Sequence, residues 1–364
     1  MSWGMSRRFR LWMQALRACY EAMLPRDGGA LPLLQREAPE AALQAAAIFR
    51  GHGSPVWYGG QAQWLSGGEA VFSAMLEDIR RAEKAVWLEY DRPRPGVMFD
   101  TILMALRQAA VRGVEVRLIY NRFLPGHSPK ELARMHIQAL PLAFPLRTHR
   151  QMAVMDSAIA FVGGVGMSDG QIGVDHRRKP QRDGAMRIEG CAVRGFSAAF
   201  ASLWESVSGQ APKLPPEREH TDSSYGYMQP FWDAVPFSAA IAGMIARAQS
   251  ELWLMLPGLW NAALYRALLR AAQSGVQVHL LLSGKGLGLP RLLRAGAKVY
   301  PFPSGAFHAR LLCADQQLVL LDTGKRGLLP CLGSGLWLYG KEAAAPIPAA
   351  LRRMIAAEKR ISKV

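Results

Sequence analysis

His149-Arg150-Gln151-Met152-Ala153-Val154-Met155-Asp156 is followed by Ile159-Ala160-Phe161-Val162-Gly163-Gly164, and its skeleton returns 159 residues later as His308-Ala309-Arg310-Leu311-Leu312-Cys313-Ala314-Asp315. In each copy a His is followed by one residue, a long polar or cationic side chain, four mostly apolar residues and an Asp. Residues two apart share a face of a strand, so the pattern fits a buried strand presenting polar groups at its mouth. Two copies of one motif suggest one shared site.

Working outward, two further landmarks recur in the same order. Arg247 to Leu254 (RAQSELWL) echoes Arg81 to Leu88 (RAEKAVWL), and Ala267 to Leu282 echoes Ala105 to Tyr120, at offsets of 166 and 162. Each unit reads as an amphipathic helix running into a strand, with Gly113 closing the helix before the strand Val114 to Tyr120. Three landmarks at nearly constant offset argue for a duplicated α/β chain. Two halves related by a pseudo-twofold are expected, each a mixed sheet flanked by helices. The divisions fall at 1–54 (basic amphipathic segment and connector, with a helix around Pro39 to Phe49), 55–206 (first half), 207–236 (a linker rich in Pro, Ser, Gly and Glu) and 237–364 (second half).

Composition limits the partners. The 364 residues can bury two ordinary cores, and 44 Lys+Arg against 28 Asp+Glu give +16, favouring polyanions such as nucleic acid, anionic headgroups or phosphorylated substrates. Cys19, Cys191, Cys313 and Cys331 are scattered without CxxC or Cys/His pairing, so reduced thiols are expected and no metal or cofactor is implied. No apolar run approaches the roughly 18 residues of a spanning helix. Residues 1–25 mix Arg7, Arg8, Arg10 and Arg17 with Trp3, Phe9, Trp12, Leu16 and Tyr20. That mixture suits either a helix lying in a lipid interface or one packed on its own domain. His176 to Lys179 reads as a basic loop, and Arg352, Arg353, Lys359, Arg360 and Lys363 as a basic helix face.

The paired motifs resemble the HxKxxxxD pattern of the phospholipase D superfamily, and residues 55–340 are similar to bacterial cardiolipin synthases. Arg182-Asp183, Arg187 to Val193 and Phe307-His308-Ala309 extend the likeness beyond the two motifs. The resemblance implies that His149 and His308 face each other across one cleft. One would take up the phosphatidyl group and the other would protonate the leaving alcohol, with Asp156 and Asp315 as orienting carboxylates behind the rings. It also implies phosphate contacts from Gln151, Arg310, Thr323, Lys325, Gly164 and Gly166. Four of these positions depart from the family pattern: Gln151 and Arg310 stand where it has lysines, and Gly166 and Lys325 where it has asparagines.

Three functions are compatible with this reading. The first is a phosphatidyltransferase-like enzyme with impaired catalysis, acting on phosphatidylglycerol or a related anionic phospholipid. The second is a non-catalytic homologue that binds anionic membrane or an active paralogous synthase. Phosphodiester cleavage of nucleic acid is the least favoured, because the wider likeness is to lipid enzymes. A cytoplasmic protein held peripherally at the inner face of the cell membrane is expected.

Overall fold

The computed structural model describes residues 7–24, 28–121, 124, 126–143, 146–174, 181–215, 226–232, 237–323 and 332–361. Alternating apolar runs form fifteen strands in these residues. The first eight are β1 (Trp57–Tyr58), β2 (Gln61–Ser66), β3 (Ala85–Tyr90), β4 (Glu115–Asn121), β5 (Ile137–Leu142), β6 (Met152–Met155), β7 (Ile159–Gly163) and β8 (Gly184–Glu189). The others are β9 (Tyr227–Trp232), β10 (Glu251–Leu256), β11 (Gln277–Leu282), β12 (Lys298–Pro301), β13 (Arg310–Ala314), β14 (Leu318–Asp322) and β15 (Ser334–Tyr339).

The duplication is explicit in the sheets. One runs β2-β8-β7-β6-β3-β4-β5, and the other runs β9-β15-β14-β13-β10-β11-β12 with β1 added at the β9 edge. In both, the last three strands are parallel and the remaining pairs antiparallel. Parallel neighbours need crossovers, which the helices Val97–Val111 and Ala262–Gln273 supply at matching places. Each of these helices is followed by a left-handed glycine, Gly113 (φ 91) and Gly275 (φ 90), which a Cβ-bearing residue would adopt at a cost.

Alternation along the strands sends side chains to two layers. Trp87, Met152, Val154, Trp253, Leu311 and Cys313 point into a core shared by both sheets, together with the helices Val193–Ser208 and Pro346–Ile361. Val86, Leu88 and Met155 face an outer layer of the first half, and Leu252, Leu254 and Leu312 face an outer layer of the second. The two halves are thus joined through buried apolar surface, which holds any site at their seam in fixed geometry.

Several expectations need adjustment. Within 207–236, Tyr227–Trp232 is a buried strand; Pro230, which lacks an N–H, is tolerated because β1 covers only the first two residues on that side. The connector before residue 55 is also integral, since Leu34, Ala45 and Ile48 pack into the outer core of the second half. In the helix Arg7–Ala22, Leu16 and Tyr20 are fully buried against the shared core, and Tyr20 meets Trp232 edge-on at 5.3 Å. The domain-packing alternative therefore holds for this part of the N-terminal segment, while residues 1–6 and the basic loop at 176–179 lie outside the described residues. No helix among the described residues is long and apolar enough to cross a membrane.

Candidate active site

The segments leading into β6 and β13 meet at the seam. Thr148 bridges Leu332 of the second half, and the His149 amide donates to Leu332 O at 2.7 Å. His149 Nδ1 lies 2.8 Å from Asp91 Oδ2 at the end of β3. Asn121 holds that carboxylate from the other side by donating to Asp91 Oδ1. On the facing side, His308 Nδ1 lies 2.6 Å from Asp183 Oδ2. Asp183, fully buried, also accepts the backbone N–H of His308 (2.8 Å) and of Ala309 (3.1 Å). Both histidines line a single cavity of about 720 Å³.

The carboxylates behind the rings are therefore Asp91 and Asp183. The expectation for Asp156 and Asp315 is corrected by strand geometry: seven residues of extended chain carry each Asp roughly 20 Å from its His. They occupy the far turns, β6–β7 and β13–β14, where consecutive left-handed residues (Asp156 φ 55 and Ser157 φ 52; Asp315 φ 50 and Gln316 φ 54) form tight hairpins. There Asp156 accepts the backbone N–H groups of Glu83, Lys84 and Ala85 at 2.8–3.0 Å, and Asp315 those of Gln249, Ser250 and Glu251 at 2.8–3.0 Å. Asp183 carried a detectable signal, since it lies in a segment already noted for its likeness to the synthases. Asp91 offered less, only an acid at the carboxyl end of a central parallel strand.

The electrostatics of the two pairs differ. Burial raises the Asp91 carboxyl, but the His149 hydrogen bond and charge, with Asn121, outweigh it and leave Asp91 below its ordinary value of 3.8. For Asp183 burial wins over the His308 contacts, and its carboxyl is lifted. Asp315 is lowered, because its backbone donors and Ser250 outweigh burial. Carboxyls depressed by folding contribute stability above their unfolded pKa and lose it as pH falls through the folded one. Unfolding titrations are therefore expected to show stability falling below about pH 4, with Asp315→Asn flattening that limb. A limb unchanged in Asp315→Asn would contradict the assignment.

The positions expected to bind phosphate have mixed surroundings. Arg310 lines the cavity but forms an ion pair with Asp322, whose equivalent in β7 is Gly163. The Gln151 amide oxygen is buried with no hydrogen-bond partner among the described residues. Thr323 Oγ1 accepts from Ser334 N at 3.1 Å, tying β14 to β15. Gly164 is required by packing, since a Cβ there would collide with the Asp183 carboxylate, whereas Gly166 borders open space. Lys325 lies outside the described residues. Among the described residues, no group of three His, Cys, Asp or Glu side chains could hold a metal ion.

No family model matches the chain. A cardiolipin synthase of Geobacillus sp. (strain WCH70) is 27% identical over 309 residues, covering 74% of this chain and 60% of that protein. Cardiolipin synthase 2 of Bacillus anthracis is 26% identical over 298 residues, covering 71% and 57%. An uncharacterized protein of Streptococcus mutans is 26% identical over 356 residues, covering 88% and 77%. Among solved structures, phosphatidylserine synthase of Haemophilus influenzae superposes with a TM-score of 0.60 at 11% identity, covering 86% of this chain and 90% of that one. Polyphosphate kinase of Porphyromonas gingivalis gives a TM-score of 0.55 at 14% identity, covering 79% and 46%.

The chain is similar in sequence to cardiolipin synthases and has a phospholipase D-like fold. Among these relatives, the cardiolipin synthases are named for making a phospholipid. The chain spans about three-fifths of the length of the cardiolipin synthases it matches. The phospholipase D-like fold accounts for the histidines: duplication places the same strand mouth on both sides of one seam.

Proposed function

We propose that the cavity binds an anionic phospholipid of the phosphatidylglycerol type and transfers its phosphatidyl group through a histidine intermediate. The observation that carries this is the pair of histidines, each held at Nδ1 by a carboxylate and both lining one cavity. Engaging Nδ1 directs chemistry to Nε2. One Nε2 attacks phosphorus, forming a P–N bond as the P–O ester bond breaks, and the other His gives its proton to the departing alkoxide. The second step reverses the roles: an acceptor hydroxyl gives its proton to that His, its oxygen bonds phosphorus, and the P–N bond breaks. A neutral nucleophile and a protonated acid are needed together, so a bell-shaped pH dependence follows.

Catalysis is slow in this proposal, because Gln151 brings no charge and Asp322 neutralises Arg310. The same observation favours the second reading, in which the cavity holds anionic lipid or an active paralogue's substrate without turning it over. In both, contact with the membrane is peripheral and driven by the +16 charge, hence salt-sensitive.

The test is lipid mass spectrometry after incubating pure protein with phosphatidylglycerol vesicles, beside the His149→Ala/His308→Ala double variant. Product from the native chain alone, with a phosphatidylated His149 or His308 peptide after rapid quench, is the expected result. If both proteins give none while the native chain still binds the vesicles, the non-catalytic reading stands. The double variant Gln151→Lys/Asp322→Asn restores positive charge on both sides and is expected to raise the rate at least about tenfold, since one oxyanion donor is worth about 10²–10³. An unchanged rate would remove charge loss as the cause of slow turnover.

A further inference from the structure

Exposed apolar side chains collect around the mouth of the cavity. On the second half, Trp260 lines the mouth and is 64% exposed. Leu287, also exposed, is drawn beside this segment by its backbone N–H, which donates to Leu259 O at 2.7 Å. On the first half, the exposed Val97 and Val174 are both tied to Asp169: the Val97 N–H donates to its carboxylate and the Val174 N–H to its backbone carbonyl, each at 3.1 Å. Asp169 stands between Ser168 and Gly170 of the cavity wall. Cations are interleaved with these residues. Arg92 and Arg94 line the same mouth and are exposed, and Lys285 is exposed two residues before Leu287. Scattered apolar side chains on a surface need no explanation, but a rim that draws them from both halves marks an interaction face.

We infer that this rim is the face on which the protein sits on an anionic bilayer, with Trp260, Leu287, Val97 and Val174 entering the boundary between headgroups and acyl chains. Arg92, Arg94 and Lys285 then meet the lipid phosphates. Apolar side chains supply insertion, an indole is favoured at headgroup level, and each cation near an anionic surface adds attraction. Charge alone would let any basic face of a +16 chain meet the membrane; the apolar rim selects one. The inference rests on the proposed phospholipid substrate and supplies the orientation that the proposal leaves open. A cavity of about 720 Å³ is of the size that encloses a small molecule. It takes a headgroup and its phosphodiester but not two long acyl chains, so those chains stay in the bilayer and the mouth has to face it. The apolar side chains of the N-terminal helix are no rival for this role where they are described, since Leu16 and Tyr20 turn inward.

Docking can be tested without turnover. Sedimentation of the full chain with vesicles of phosphatidylglycerol and phosphatidylcholine gives its partition coefficient. Trp260→Ala and the double variant Val97→Ser/Leu287→Ser should each lower it about tenfold or more, the worth of one large or two smaller apolar side chains kept in water. Val111→Ser is the control, because Val111 is 73% exposed but stands at the far end of the helix Val97–Val111, about 21 Å from Val97. It should leave the partition unchanged. Thermal melts establish that the variants fold. Phosphatidylcholine brominated on its acyl chains near the headgroup should quench the tryptophan fluorescence of the native chain, and Trp260→Phe should remove most of that quenching. No binding by the native chain, a partition unchanged in both rim variants, an equal loss in Val111→Ser, or quenching that survives Trp260→Phe would overturn the inference. Binding with the expected losses, in a chain that makes no product from phosphatidylglycerol, would uphold the rim and sink only the transferase proposal. Product from phosphatidylglycerol with the partition unchanged in both rim variants would do the reverse.

Discussion

Asp183→Asn is expected to lower the phosphatidyl-transfer rate by about three to four orders of magnitude, as loss of the orienting carboxylate does in other histidine-dependent sites. Asp183 is the buried partner of His308 Nδ1 and also fixes the backbone of His308 and Ala309. An amide in its place turns an N–H₂ group toward N–H donors, so the ring loses both its tautomer and its position. The effect should also appear in the pH profile. Without the carboxylate the imidazolium of His308 is less favoured, and the limb it controls should move to lower pH. Asp156→Asn provides the contrast. Its carboxylate ties a hairpin turn to the start of β3 and touches neither ring. That change should cost stability on the order of 2 kcal/mol and leave the rate of the folded protein nearly unchanged. Transfer abolished in Asp156→Asn but retained in Asp183→Asn would refute the assignment of the orienting carboxylates.

The contrast between these aspartates marks how far sequence reading reached. The recurring helix–strand units and His motifs exposed a duplicated α/β fold, because strand alternation and helix periodicity are local and survive divergence. They also pointed to His149 and His308 as a convergent pair, since duplicated elements in one chain come to equivalent places. Hydrogen-bond partners were less legible. Asp91 lies 58 residues before its histidine, and Asp183 belongs to the half opposite His308. Spacing within a motif carries no information about such pairings, so the nearest acid, Asp156, stood in for the true partner. The strand Tyr227–Trp232 was obscured by the prolines around it, and its place became clear only from its ladder with β15. The N-terminal helix was ambiguous for another reason. Arginines beside aromatic residues suit a lipid surface and a protein surface alike, and only the burial of Leu16 and Tyr20 decides for this part of the helix.

Arg150→Met should destabilise the fold by about 3–5 kcal/mol, the usual consequence of removing one partner from a buried ion pair. Arg150 lies between His149 and Gln151 yet is fully buried, as is Glu89, with Nη1 3.3 Å from Glu89 Oε2. Nη1 also reaches Ala199 O at 3.1 Å, Nε donates to Gly333 O of the second half at 3.2 Å, and the guanidinium lies 5.5 Å from the ring of Trp232. This one side chain therefore anchors the His149 segment across the seam. Burial lifts the Glu89 carboxyl despite Arg150, whose charge lowers it. Removing Arg150 lifts it further, so Glu89 in the variant binds a proton on folding. The sign follows: a carboxyl raised by folding favours the folded state below its unfolded pKa and loses that advantage as pH rises toward the folded one. The deficit of Arg150→Met should thus be smaller near about pH 5 than near about pH 8. Pseudosymmetry supplies the control, because Glu89 pairs with Met152 across the ladder as Met255 pairs with Leu311, and Ala309 stands where Arg150 does. The second half thus keeps an equivalent place without any ion pair. Replacing both charges in Glu89→Met/Arg150→Met should cost less than the sum of the single changes by at least about 2 kcal/mol, measured by denaturant unfolding of all four proteins. Strict additivity, with no pH dependence in Arg150→Met, would mean that the two side chains act independently and that Arg150 anchors the seam through its carbonyl acceptors and not through Glu89.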